Sequence, residues 1–210
     1  STVIHPPVSV ENFSFNRPRG DHYLCFCRLV PNKRVDLVVK AFNKLKLPLI
    51  VIGEGPQKSF LKKIADSNIQ ILGYQSNDKV QDMLETCRAY VYAGIEDFGI
   101  APVEAMAAGA PVIAFRKGGV LDTVRCVKQV GSSASTGILF SEQSISCLVE
   151  AVQWFEDKKL WEEMSSEYIN KWASKFSKKE FQKRFENFLI KSWEEHQLQS
   201  LEAQKDPVEI

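Results

Sequence analysis

Ala89-Tyr90-Val91-Tyr92-Ala93-Gly94-Ile95-Glu96-Asp97-Phe98-Gly99-Ile100-Ala101-Pro102-Val103-Glu104-Ala105-Met106-Ala107-Ala108-Gly109 decides how the rest of the chain is read. It opens on five apolar residues without polar alternation, the pattern of a strand covered on both faces. It then passes through a glycine-containing loop into a helix over 102–108, closed by Gly109 at the first position past its end. Strand, loop and helix within 21 residues make half of a βαβ unit.

The same unit recurs on both sides. Tyr23 to Cys27, Leu49 to Ile52, Ile69 to Leu72 and Val112 to Phe115 are further apolar runs. Val35, Val38, Val39, Phe42 and Leu45 have helical spacing, with Asn32 as the expected N-cap. Gly53, Gly55 and Pro56 turn the chain into a helix ending near Asp66. Ser76 caps a helix over 77–86, and residues 136–140 form a short last strand. Helical patterns follow over 144–155, 158–175 and 178–201, with Phe181, Phe185, Phe188 and Trp193 in a stripe that suits core packing or docking on a neighbouring domain. The tail from Ala203 is polar and expected to fray. Strands alternating with helices predict right-handed crossovers: an α/β fold with a doubly wound, Rossmann-like parallel sheet and C-terminal helices.

Composition excludes several function classes. The 210 residues suffice for one sizeable core, and 27 Lys and Arg against 26 Asp and Glu leave a net charge of +1, without the basic excess that marks nucleic-acid binding. No apolar run approaches the ~20 residues of a transmembrane helix. The start, Ser1 to Pro7, lacks a secretory leader and an initiator Met, which favours a piece of a longer chain. Five cysteines, Cys25, Cys27, Cys87, Cys126 and Cys147, fit neither zinc nor disulfide spacing. Cys25 and Cys27 point the same way on a strand as small hydrophobes, and a reducing, cytoplasmic compartment follows.

Ligands of open α/β sheets bind outside the carboxyl ends of the strands. Three loops there carry chemistry. Arg28 to Lys33 follows the first strand and brings two cations. Glu96, Asp97, Phe98, Gly99 and Ile100 follow the fourth, where amides at a helix start can converge on an anion. Gly99 lets that backbone approach closely. Arg116-Lys117-Gly118-Gly119 follows the fifth, the two glycines reading as a turn. Arg suits a bidentate grip on phosphate. Two carboxylates beside a diphosphate would be repelled by it, so Glu96 and Glu104 read as acceptors for sugar and ribose hydroxyls.

Glu96, seven residues, then Glu104, in Glu-Asp-Phe-Gly-Ile-Ala-Pro-Val-Glu-Ala-Met-Ala-Ala-Gly, resembles the signature of retaining GT-B glycosyltransferases of the glycogen-synthase-like and mannosyltransferase-like group. Residues 27–33 are similar to that group's Gly-Arg-Leu-x-x-x-Lys segment, with Cys27 where glycine is usual. Residues 52–56, 72–74 and 136–140 match further landmarks in order, over about residues 1–155. The resemblance implies that the chain is the donor-binding, C-terminal half of such an enzyme. Residues 1–16 are then the linker from an N-terminal domain, 17–175 the nucleotide-sugar-binding domain, and 176–210 a C-terminal helix and tail. Arg28 and Lys33 bind the donor diphosphate and stabilise it as it leaves. The amides of Phe98, Gly99 and Ile100 cradle the distal phosphate, Glu104 holds the ribose and Glu96 contacts the transferred sugar. The backbone near Tyr74 and Gln75 borders the base, and Gly53 and Asp97 complete the donor site. Arg28, Lys33 and Glu96 carry the catalytic roles.

The donor implied is a UDP-sugar or GDP-sugar, and the acceptor a glycan or lipid-linked sugar bound mostly by the other half. No cofactor and no metal are needed, because Arg, Lys and a helix dipole do a cation's work. The location implied is the cytoplasm or the cytoplasmic face of a membrane, with peripheral association open to the full-length protein. Three competing readings are a nucleotide-sugar module or epimerase of similar fold, a response-regulator or dinucleotide domain, and a scaffold with a lapsed site. Against the second, no Gly-x-Gly-x-x-Gly follows the first strand. Against the third, every charged motif position is filled.

Overall fold

A computed structural model describes residues 2–203. Six short parallel strands form one sheet: β1 Tyr23–Phe26, β2 Leu49–Ile52, β3 Ile69–Gly73, β4 Ala89–Tyr92, β5 Val112–Phe115 and β6 Gly137–Phe140. Their order across the sheet is β3-β2-β1-β4-β5-β6. Tyr23 pairs with Leu49 on one side and with Ala89 on the other, so β1 and β4 are neighbours at the sheet's centre. The chain winds outward to β3, then crosses back over β1, and the reversal leaves a crevice between the carboxyl ends of β1 and β4.

The helices are α1 Val35–Leu45, α2 Lys58–Ile64, α3 Asn77–Thr86, α4 Ile100–Ala107, α5 Val120–Thr123, α6 Val127–Val130, α7 Ile145–Asp157, α8 Leu160–Glu163, α9 Ser166–Ala173 and α10 Lys178–Ala203. They cover both faces of the sheet, α1 packing on α7 and α4 on α9. Every residue of β4 is buried, as its continuous apolar run requires. On one face, Tyr23 meets the Phe42 ring edge-on at 5.0 Å, with Phe155 beyond it. The Tyr23 hydroxyl donates to Glu156, which also takes two hydrogen bonds from Arg88. All five cysteines are free thiols; Cys25 is buried and Cys27 half-buried.

Several boundaries differ from the sequence reading. Asn32 does not cap α1. It lies inside a 3-10 turn, Pro31–Lys33, and Arg34 in a left-handed conformation (φ 51°) joins that turn to the helix. The Arg34 carbonyl, not an Asn side chain, then receives the first amides of α1, those of Leu37 and Val38. α4 begins two residues earlier than expected. Pro102 falls within its first turn, where a missing N–H costs no intrahelical hydrogen bond.

The single helix expected over 158–175 is broken. Lys159 is left-handed (φ 47°), and Ser165 leaves helical geometry to cap α9 by accepting the Tyr168 amide at 3.2 Å. A local side-chain bond has outcompeted helix propagation there. The short helices α5 and α6 were not anticipated. Ser76 does cap α3, accepting from Lys79.

α10 follows the 178–201 pattern. Its aromatic stripe is mostly uncovered: Phe181 is half-buried and stacked on Phe185, but Phe185, Phe188 and Trp193 are exposed. The N-terminal segment meets the base of this helix, where the Val8 amide donates to the Phe176 carbonyl. Residues 204–210, and with them nearly all of the expected frayed tail, lie outside the described residues.

Candidate functional site

The loops after β1 and β4 meet at the crevice because those two strands are adjacent. Between them lies a cleft of about 530 Å³. Eight of the eleven sequence-predicted residues line it: Arg28 and Lys33 from the first loop, Glu96 and Asp97 from the second, and Phe98, Gly99, Ile100 and Glu104 from the start and first turns of α4. Gly53, Tyr74 and Gln75 do not.

Two cations stand at one wall. Arg28 is exposed and makes no ion pair among the described residues. Lys33 is largely buried and pairs with Glu96 Oε1, an oxygen that also accepts from the Tyr92 hydroxyl at 2.7 Å. The carboxylate expected at a sugar thus pairs with the ammonium expected at a phosphate.

Opposite them α4 begins. Gly99 has φ +88°, a conformation that L side chains rarely adopt, and it precedes the first amides of α4, which have no intrahelical partner. Among the described residues no side chain caps this end, so its partial positive charge is open to an anion. Phe98 anchors the turn from below, its ring 5.4 Å from His5 and 5.6 Å from Phe176. Glu104, one turn further in, is half-buried with burial pushing its carboxyl above the usual range.

Glu104 and Phe26 also line a second, smaller hollow of about 250 Å³, which adjoins the cleft. Ser9 and Asn12 of the N-terminal segment and Asn77 and Gln81 of α3 give that hollow polar walls. Sequence reasoning missed these residues, because nothing in an isolated Ser, Asn or Gln marks it as facing a ligand.

The three residues outside the cleft have other surroundings. A Cβ on Gly53 would stand 1.9 Å from the Cys27 carbonyl oxygen, so this glycine supports the end of β1 from behind. Tyr74 is 77% exposed beyond the end of β3, two strands from β1, and its amide donates to Glu54. Gln75 donates to the Leu72 and Tyr74 carbonyls beside it.

Support for the Glu96 loop also escaped the sequence reading. Gly118 and Gly119, which read as a turn in the sequence, pack directly under it. Cβ atoms there would lie 2.3 Å from the Glu96 oxygen and 2.4 Å from Phe98 Cα, and the Gly119 amide donates to the Glu96 carbonyl at 2.7 Å. A Gly-Gly pair after a strand was the available signal. Arg116 and Lys117, read as part of the same loaded loop, are exposed and do not line the cleft.

Comparison with known proteins gives this arrangement a lineage. Residues 11–174 match the family described as glycosyl transferases group 1. The chain is 35% identical over 100 residues, 45% of its length, to an uncharacterized glycosyltransferase of Methanocaldococcus jannaschii, covering 28% of that protein. It is 32% identical over 116 residues, 48% of its length and 30% of the relative's, to a GDP-mannose-dependent monoacylated alpha-(1-6)-phosphatidylinositol monomannoside mannosyltransferase of Corynebacterium glutamicum. The chain thus spans about a third of the length of these curated relatives.

Among solved structures, the apo form of the lipopolysaccharide outer core galactosyltransferase WaaB superposes with a TM-score of 0.75 at 19% identity, over 91% of this chain and 56% of that one. Anabaena HepE in complex with UDP-glucose superposes with a TM-score of 0.68 at 19% identity, over 82% of this chain and 49% of that one. At such identity the likeness speaks for the fold, a GT-B-type Rossmann-like domain. With more than three quarters of its residues inside the family match, the chain belongs to the glycosyl transferases group 1 family.

Proposed function

We propose that this chain is the donor-binding half of a retaining hexosyltransferase that takes its sugar from UDP or GDP and passes it to a glycan or lipid-linked acceptor. The carrying observation is the switch-point cleft, in which two cations, an uncapped helix start and two carboxylates converge. The cations and the α4 amides suit a diphosphate, and the carboxylates suit the hydroxyls at its two ends. A GDP-mannose-dependent relative and a structural neighbour in complex with UDP-glucose agree with such a donor.

In this reading Arg28 and Lys33 hold the diphosphate, with the amides of Phe98, Gly99 and Ile100 on its distal phosphate. As the sugar–phosphate bond lengthens, negative charge grows on the leaving oxygen, and these fixed donors stabilise it without a metal. In this reading Lys33 exchanges Glu96 for the diphosphate, which frees that carboxylate for the sugar. Glu104 takes the ribose. The base then lies toward the polar hollow beside Glu104, lined by Asn12, Asn77 and Gln81, with the backbone near Tyr74 and Gln75, just ahead of Asn77, at its border. Residues 1–16 form the linker to an acceptor-binding domain, and the full-length enzyme works in the cytoplasm or at the cytoplasmic face of a membrane. The 210-residue chain alone should bind donor and transfer nothing beyond slow hydrolysis, because the reacting bond remains open to water.

Calorimetric titration of the chain with UDP and GDP tests the reading. One of the two should bind, and excess chelator should leave its affinity unchanged. Loss of binding on chelation would refute the metal-free site, and binding of neither nucleotide would refute the donor-site assignment.

Glu104 allows a sharper test. Its carboxyl is raised by burial, so the fold favours the protonated form. The sign follows: this group contributes most to stability at low pH, and that contribution falls as the carboxyl ionises through its raised range. Glu104→Gln removes the buried charge and should raise the melting temperature at pH 7, by about 2–4 °C for each kcal/mol relieved. The same change should weaken nucleotide binding by roughly tenfold, because an amide accepts a ribose hydroxyl less well than a carboxylate. A variant that is both less stable and unimpaired in binding would place Glu104 in the scaffold instead.

A further inference from the structure

Tyr92 ends β4 with its residue only 2% exposed, where the sequence offers just another core aromatic. Its hydroxyl is not idle. It donates to Glu96 Oε1 at 2.7 Å, four residues later in the chain. Ala93, Gly94 and Ile95 turn the backbone so that Glu96 hangs back over the strand it has left. Gly94 makes the return tight: a Cβ there would stand 2.6 Å from the Tyr92 hydroxyl and 3.0 Å from Lys33 Cα. Phenol, glycine and the Lys33 backbone are therefore packed together beneath one carboxylate.

The two partners of Glu96 differ in kind. Lys33 is a long, flexible cation, free to exchange one anion for another. The phenol is part of the core, stacked on Tyr90 with ring centroids 6.4 Å apart and planes 16° from parallel. Tyr90 is itself tied down, its hydroxyl donating to the Phe26 carbonyl of β1 at 2.7 Å. Burial and the neighbouring carboxylate push the Tyr92 hydroxyl's pKa upward, so it remains a proton donor throughout the working range. Both partners use Oε1, which leaves Oε2 for something else.

We propose that Tyr92 is a positioning residue, whose buried hydroxyl holds Glu96 at the cleft mouth when Lys33 turns to the donor diphosphate, leaving the second carboxylate oxygen for a sugar hydroxyl. The inference rests on the donor-site reading above. It makes the departure of Lys33 tolerable, because Glu96 keeps one charge-assisted hydrogen bond when its cation leaves. It also explains why a core tyrosine, rather than a phenylalanine, stands at this strand end.

The 210-residue chain, Tyr92→Phe, Glu96→Ala and the double variant should be titrated with UDP, GDP, UDP-glucose and GDP-mannose. Tyr92→Phe keeps the ring and should bind the nucleoside diphosphates within about twofold of the unmodified chain, but the preferred nucleotide sugar roughly tenfold more weakly. In the double variant the tyrosine change should add nothing to the loss from Glu96→Ala, the non-additivity expected when one group acts through another. Full nucleotide-sugar affinity in Tyr92→Phe, beside a loss in Glu96→Ala, overturns the positioning role and leaves the donor site standing. A neutral Glu96→Ala takes that carboxylate off the sugar and overturns the positioning role with it, binding of no nucleotide overturns the donor-site reading itself, and additive losses make Tyr92 merely structural.

A readout without ligand is amide hydrogen exchange. Tyr92→Phe and Glu96→Ala should each speed exchange of the Gly119 amide, which donates to the Glu96 carbonyl, in the free chain, and the double variant no further. Unchanged protection in Tyr92→Phe would rule the proposal out whichever nucleotide binds.

Discussion

The double substitution Arg28→Ala, Lys33→Ala is expected to weaken UDP or GDP binding by about two to four orders of magnitude while the fold survives. Each residue is assigned one or more charge-assisted contacts to phosphate, worth roughly 1.5–3 kcal/mol apiece, and tenfold in affinity corresponds to about 1.4 kcal/mol. Arg28 is exposed and unpaired among the described residues, so its loss removes no contact that the core depends on. Lys33 is different, because it also balances Glu96. Lys33→Ala alone should cost more than Arg28→Ala alone, since it both removes a phosphate donor and leaves a carboxylate facing the incoming diphosphate. Titration calorimetry at two salt concentrations measures this, and the residual binding of the double variant should show the weaker salt dependence. Retention of nucleotide affinity within fivefold would break the link between these cations and a diphosphate.

The second large effect falls on the scaffold. Gly53→Ala should lower the melting temperature by about 6–12 °C, from a loss of roughly 3 kcal/mol or more. Gly53 sits at φ +145°, and an added Cβ would stand 1.9 Å from the Cys27 carbonyl oxygen and 3.0 Å from its carbon. Both obstacles are backbone at the end of β1, and neither has a rotamer to escape into. Gly53 is also held in place, donating to the Gly73 carbonyl at 2.9 Å. Relief therefore requires β1 and β2 to splay at the edge that carries Arg28.

Gly131→Ala is the control. That glycine has φ +78° and open space around its missing Cβ, so it should lose only about 1 kcal/mol for backbone strain. Thermal melts followed by circular dichroism compare the two. If Gly53→Ala melts no lower than Gly131→Ala, the contact with β1 is softer than the geometry says.

These expectations divide along the line between what one-dimensional pattern encodes and what it leaves to packing. The residues of β1, β2, β4 and β5 were legible because strands covered on both faces must be apolar throughout, and no other element of that length needs to be. The Gly109 terminus of α4 was legible because backbone conformation restricts residue choice locally, whereas the helix starts two residues before the expected Pro102. The break at Ser165 was not, since a serine between two helical patterns fits either an exposed helix face or a cap, and neighbouring packing chooses. Asn32 failed as a cap for a similar reason: Pro31 had already committed the chain to a 3-10 turn that ends in Arg34.

The candidate site shows the same division. The types and spacings of Arg28, Lys33, Glu96 and Glu104 are properties of the chain, and by themselves they determined an α/β domain with paired cations and carboxylates at its strand ends. That the first and fourth loops face each other was decided only by the strand order, in which β1 and β4 are neighbours although 62 residues separate Phe26 from Ala89 in between. Three-dimensional contact alone turned Tyr92 from a core aromatic into a partner of Glu96. It also turned Gly118 and Gly119 from a turn into the floor beneath that residue's loop, and Asn12, Asn77 and Gln81 from scattered polar residues into one wall. The physical reason is that a backbone preference or an apolar stripe acts over a few residues. Which surfaces meet is set by burying every apolar face at once, a condition on the whole chain that no short segment carries.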